Sequence, residues 1–348
     1  MNRFTRWSVL AAAVLLSLSA QAAGKLDVRL SLAQPVVHGD VDVQVDVVVT
    51  NTSGHAVDVP RWQLPSDRLQ GPLFRITRED GSPVAYTGPL IKRAAPRASD
   101  LVHFEVGESR SFHAELTGAY ELANGRYTIE YAARGRHADD EAVESEAPAY
   151  LWTEGRSAKP ATGLVDDFLA QRPTGRATIS YTGSCTSSQK SSLASAVTAA
   201  TNYATASNNY LAASPHSTQR YVKWFGAYSS TGWNTAHTHY TNEVTAFTTK
   251  PLTLDCSCTD SGTYAYVYPG SPYKIYVCGA FWSAPMTGTD SKGGTLVHEM
   301  SHFYVVASTD DWAYGQTAAA NLAKSNPTKA LDNADSHEYF AENNPYLP

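Results

Sequence analysis

The sequence predicts an all-β unit followed by an α+β unit, and three observations carry that prediction. Short runs in the first half alternate apolar and polar residues with period two, the signature of half-buried strands. A helix-capping signature and an alanine-rich run open the second half. The composition also changes: 19 basic and 22 acidic residues precede Ala177, leaving 8 and 11 of the totals of 27 and 33, and all four cysteines follow it. The stretches GRSAKPATG and QRPTGRA, rich in Gly, Pro and small residues, mark an exposed linker between the two units.

In chain order, residues 1–22 read as a secretory signal peptide. MNRFTRW supplies positive charge, SVLAAAVLLSLSA is an apolar run too short to cross a bilayer core of about 30 Å, and Ala20-Gln21-Ala22 is a small-x-small cleavage site. A secreted, extracellular chain is expected to oxidise Cys185, Cys256, Cys258 and Cys278 to two disulfides. Their Cys-x-Cys spacing is too close for a zinc ribbon, and four cysteines allow three pairings. The net charge of -6 comes without a basic stripe, so neither nucleic acid nor an anionic membrane is an expected partner.

Residues 23–155 show alternation in Val41 to Val47, broken at Asn51-Thr52-Ser53-Gly54, and again in Ser111 to Leu116, Arg126 to Tyr131 and Ala149 to Trp152. Short strands separated by turn signals predict an immunoglobulin-like β-sandwich. Its histidines, among them His103 and His113, are scattered and read as packed or surface residues. Residues 156–176 form the linker with a processing site. In residues 177–348, Thr186-Ser187-Ser188-Gln189 has the spacing of a capping box, and a second helix is expected from about Thr235 to Thr248. YAYVYPGSPYKIYVC, ending at Cys278, reads as two strands joined at Pro-Gly-Ser-Pro. His237 and His239 are expected on a helix surface.

The chemistry concentrates in TLVHEMSHFYVVASTDDWAYG, residues 295–315. His298-Glu299-Met300-Ser301-His302 fits H-E-x-x-H. Positions four apart share a helix face, so both imidazoles can reach one zinc ion while Glu299 stands beside the water that the ion activates. A catalytic zinc needs a third protein ligand and an open position. Ser308 stands where the longer H-x-x-G-x-x-H pattern requires histidine, which excludes that class. Glu338 remains a candidate third ligand, as do Asp310 and Asp311, which elementary chemistry alone does not separate.

The segment from Ser308 to Gly315 resembles the G-T-x-D-x-x-Y-G signature of the aspzincin, or deuterolysin-type, metallopeptidases, with serine in place of the first glycine. The likeness runs from Ser180 to Pro348 and is strongest to the peptidyl-Lys metalloendopeptidases, through YTGSCTSSQ, RYVKWFG, CGAFW and NADSHEYFAENNP. It implies a zincin-like catalytic domain with one zinc ion held by His298, His302 and Asp311. Glu299 would be the general base, and Tyr314 the donor to the oxyanion. It also pairs Cys185 with Cys256 and Cys258 with Cys278. Asp335 and Glu338 fall on the family's pocket for the lysine side chain, which moves Glu338 from metal ligand to substrate binding.

The resulting expectation is a zinc endopeptidase that cuts protein and peptide substrates on the amino side of lysine. The first half is expected to be a propeptide acting as an intramolecular inhibitor. A permanent binding module, or a non-catalytic secreted protein with a structural zinc, are the alternatives; intact Glu299 and Tyr314 speak against the latter. Between the signal peptide and Ala177 the chain has Lys25, Lys92 and Lys159. Lys92, in the proline-bounded stretch Gly88 to Pro96, has two readings: a plug, as a loop lysine in the enzyme's own pocket with its backbone in an unproductive pose, or an exposed lysine on a surface loop.

Overall fold

The computed structural model describes residues 26–133, 143–157, 178–213 and 216–348. The expected signal peptide, Lys25, Lys159 and nearly all of the expected linker lie outside the described residues. Among those described, no helix is long and apolar enough to cross a membrane.

The first half is built from strands and two short 3-10 turns. Leu26–Leu32, Gln44–Asn51 and Ser109–Glu115 pair antiparallel in one sheet. A second sheet centres on Gly125–Ala133, flanked by Phe74–Arg78 and Ala149–Glu154, with Val36–His38 added in parallel at the far edge. The alternation works as expected: in Gln44–Asn51 every second residue is buried, and Val45, Val47 and Val49 meet Phe104, Ile129 and Leu151 in one apolar core. The pairing begins at Gln44, so Val41 to Val43 precede the strand.

The second half mixes helices and strands around its own core. Helix Ser187–Leu211 begins where the capping box places it: the Gln189 amide donates to Thr186 Oγ1 at 3.2 Å and the Thr186 amide to Gln189 Oε1 at 2.9 Å. The second helix spans Ser230–Thr249, starting earlier than expected because Ser229 caps it by accepting from the Gly232 amide. Disulfides join Cys185 to Cys256 and Cys258 to Cys278, the pairing implied by the family likeness.

The sheet of this half has the order Ile179–Thr182, Leu252–Asp255, Lys274–Val277, Thr263–Val267, and then Leu90–Arg93 from the first half. The first three run parallel; Thr263–Val267 is antiparallel to its neighbour and would be the edge. Leu90–Arg93 covers that edge antiparallel, with Lys92 opposite Ala265 and Ile91 opposite Tyr266. The expected loop around Lys92 is therefore a strand, because an open edge offers its unpaired amides and carbonyls to any extended segment. Further bonds extend the crossing: the Ala94 amide donates to the Gly262 carbonyl at 2.9 Å, Arg97 Nη1 to Ser261 Oγ at 3.3 Å, and the Tyr304 hydroxyl to the Tyr86 carbonyl at 2.8 Å.

Candidate active site

H-E-x-x-H runs along the end of helix Lys292–Ser301, whose ten residues are all buried, with His302 as its C-cap. Ser291 caps it by accepting from the Gly294 amide at 2.9 Å. The helix stops at His302, and the chain turns back so that the Thr309 amide donates to the Ser301 carbonyl. That reversal passes through Ser308 at φ 54°, in the left-handed region that favours glycine, which explains why the family signature has glycine there. Asn333 Oδ1 then accepts from the Trp312 and Ala313 amides, fixing the acidic turn against helix Ala334–Glu342.

This folding brings three atoms together. His298 Nε2 and His302 Nε2 lie 3.2 Å apart, and Asp311 Oδ1 stands 3.3 Å from the first and 3.5 Å from the second. Ligands about 2.0–2.1 Å from a tetrahedral zinc are separated by about 3.3–3.4 Å, so the trio fits that ion with one position open. His302 Nδ1 meets the Thr309 carbonyl at 2.8 Å, which turns Nε2 toward the trio. Burial alone would depress the His298 pKa, yet Asp311, Asp335 and Glu338 lift it well above the usual range: the field of the cluster calls for a cation. Asp310 instead spends an oxygen on the Asp311 amide at 2.9 Å. His298 also converges with Asp335 and Glu338 through Nδ1, but Lys92 already supplies the positive charge on that side.

Glu299 is fully buried next to the trio, and neither of its oxygens has a hydrogen-bond partner among the described residues. Burial pushes its pKa up to about 8, while a cation held by the trio acts in the opposite sense and favours the carboxylate.

Next to this trio, Lys92 inserts its side chain until only 2% remains exposed. Its Nζ lies 2.5 Å from Glu338 Oε2, 3.2 Å from Asp335 Oδ1 and 3.7 Å from Asp290 Oδ1. Burial opposes the charge, but these carboxylates outweigh it and hold the ammonium protonated, its pKa well above the ordinary value. Asp335 is doubly engaged: Oδ1 also stands 2.8 Å from His298 Nδ1, and Oδ2 accepts from the Gly315 amide. The Tyr314 hydroxyl donates to the carbonyl of Ile91, one residue before Lys92, at 3.0 Å. The carbonyl that precedes Lys92 thus faces the hydroxyl expected to receive a substrate carbonyl.

Sequence reasoning missed Asp290, Glu342 and the buried His337, whose Nε2 lies 2.9 Å from His239 Nδ1. That contact takes His239 off the open helix surface where the sequence put it, and burial pushes its pKa down to about 4. Nothing local in TGTDSKGG singles out Asp290, whose approach depends on a helix about fifty residues later.

The aspzincin family model, described as lysine-specific metallo-endopeptidase, matches residues 210–342. The chain is 45% identical to an extracellular protease of Aeromonas hydrophila over 99% of both chains. It is 48% identical to a peptidyl-Lys metalloendopeptidase of Pleurotus ostreatus, over 47% of this chain and 96% of that one. A solved zinc peptidase from Grifola frondosa is 49% identical and is covered whole by 47% of this chain, with a TM-score of 0.45. With the donor trio, the buried glutamate and a relative matched from end to end, the chain belongs to the aspzincin family of lysine-specific metallo-endopeptidases.

Proposed function

We propose that this protein is a secreted endopeptidase that cuts on the amino side of lysine and is made as a latent precursor. The observation that carries the reading is a single strand: Lys92 sits among Asp335, Glu338 and Asp290 while the preceding carbonyl rests on the Tyr314 hydroxyl. A substrate cut before lysine needs the same two anchors, one for the ammonium and one for the oxygen of the scissile bond.

His298, His302 and Asp311 would hold the metal, and a zinc ion there supplies Lewis-acid activation of the carbonyl and of water. The edge strand Thr263–Val267 aligns an extended substrate by backbone pairing. Asp335 and Glu338 fix the residue after the scissile bond. Glu299 accepts a proton from the attacking water and passes it to the departing amine. The Tyr314 hydroxyl donates to the carbonyl oxygen as negative charge grows on it.

The first half, read as an immunoglobulin-like sandwich, is the inhibitor. It lends Leu90–Arg93 to the catalytic sheet and is braced by Arg93, which donates to Gln70 at 2.7 Å and stacks on Trp62. Latency then comes from a substrate-like segment whose two ends are held in place. The Pleurotus ostreatus relative, whose match spans 163 residues of this chain, supports a catalytic unit that does without the first half. The predicted signal peptide and the two disulfides support secretion.

Two variants test these roles. Asp311→Ala is expected to lose zinc on dialysis against a mild chelator while Asp310→Ala retains it; retention by both, or loss only from the Asp310 variant, contradicts the ligand set. Changing Asp335 and Glu338 together to their amides should lower kcat/KM for lysine peptides by several kcal/mol of transition-state stabilisation at most, because a buried ammonium loses its partners. Cleavage before lysine at the original rate would refute the pocket.

A further inference from the structure

We propose that Asp290 is a third carboxylate of the lysine pocket and a specificity-determining residue, set in place by Glu342. The inference deepens the reading of this cleft as a lysine-specific site and rests on it. An ammonium has three N–H donors. Glu338 and Asp335 face two of them, but both acids also face a metal-ligand histidine: His298 Nδ1 is 2.8 Å from Asp335 Oδ1 and 3.5 Å from Glu338 Oε2. Asp290 Oδ1 stands 3.7 Å from the same ammonium, and the Asp290 side chain is itself 42% exposed.

The turn that delivers it is clamped. Asp290 has φ 49°, in the left-handed region that aspartate enters more readily than most non-glycine residues. Glu342, on the last turn of helix Ala334–Glu342, holds it there: Oε2 accepts the Asp290 amide at 3.2 Å, and Oε1 accepts the Ser291 amide at 2.8 Å and the Ser291 hydroxyl at 2.7 Å. The carboxylate is aimed from the other end by the Tyr339 hydroxyl, which donates to Asp290 Oδ1 at 2.7 Å. Tyr339 also packs beside the ammonium, its ring centroid 5.9 Å from Lys92 Nζ. One helix thus carries Asp335, Glu338, Tyr339 and Glu342, so the pocket acids and the clamp move as a unit. Asp290 gives the pocket a charge that does not also serve the metal site.

A double-mutant cycle in the full chain tests the contact without requiring activity. Thermal unfolding is measured for Asp290→Asn, Lys92→Met and the two combined. Asp290→Asn is expected to lower the midpoint by a few degrees when Lys92 is present and by clearly less when it is methionine; equal shifts in both backgrounds overturn the proposal. Kinetics then test specificity in the full chain opened by Lys92→Ala. Adding Asp290→Asn should raise KM for a lysine peptide about ten-fold, with kcat and zinc content unchanged. An unchanged KM, or loss of zinc, overturns it. If the opened chain cuts proteins without preferring lysine, the reading of the cleft fails and this inference with it. A null effect of Asp290→Asn in a lysine-specific enzyme defeats the Asp290 assignment alone.

Discussion

Glu299→Gln is expected to lower kcat on lysine peptides by about 10²–10⁴-fold while zinc stays bound, the range that general acid–base catalysis supplies. The side chain is fully buried beside His298 and its oxygens have no hydrogen-bond partner among the described residues, so it holds together no other part of the structure. Burial already favours its neutral form, with a pKa pushed up to about 8, and an uncharged amide of the same shape fits the site. The variant should therefore match the parent in thermal midpoint and zinc content. Both are to be compared in chains opened by Lys92→Ala, by initial rates on a quenched lysine peptide and by elemental analysis. A glutamine variant with parental kcat would remove Glu299 from the chemistry.

Lys92→Ala in the full chain is expected to raise the rate on a small lysine peptide about 100-fold or more over the unaltered precursor. The Lys92 side chain is 2% exposed with its ammonium among three carboxylates, and breaking a buried charge pair by removing one partner typically costs about 3–5 kcal/mol. Without it the four-residue strand Leu90–Arg93 retains its backbone pairing with Thr263–Val267 but loses its anchor, and a peptide with its own lysine can displace it. Rates should be taken before any processing of the linker, checked by gel. Equal silence of both precursors would place latency outside this contact.

The parts of the candidate site carried by contiguous residues were legible in the sequence. His298, Glu299 and His302 are fixed by helical periodicity, and Asp311 and Tyr314 by a short turn whose spacing the family shares. The choice between Asp310 and Asp311 was not legible from chemistry, since it depends on the backbone reversal at Ser308 and on the grip of Asn333. Lys92 was identifiable because few lysines precede Ala177, but its strand was not: Gly88 to Pro96 reads as a loop until a sheet edge from another part of the chain is brought alongside. Asp290 and Glu342 left no signal, because an isolated acid gains meaning only when the packing of two helices sets it beside an ammonium. In the first half, the period-two pattern gave the strands and the buried valines, while the parallel addition of Val36–His38 depends on residues more than a hundred positions away.

The most direct test of the account is the sequence of the ends it creates. A reduced, denatured protein is incubated with the activated enzyme and the new peptide termini are read by mass spectrometry. The account predicts that new amino termini begin with lysine, that arginine is not accepted in its place at a comparable rate, and that a chelator stops the reaction. New termini without lysine preference, or cutting on the carboxyl side of lysine, would contradict it, because Lys92 follows the carbonyl held by Tyr314.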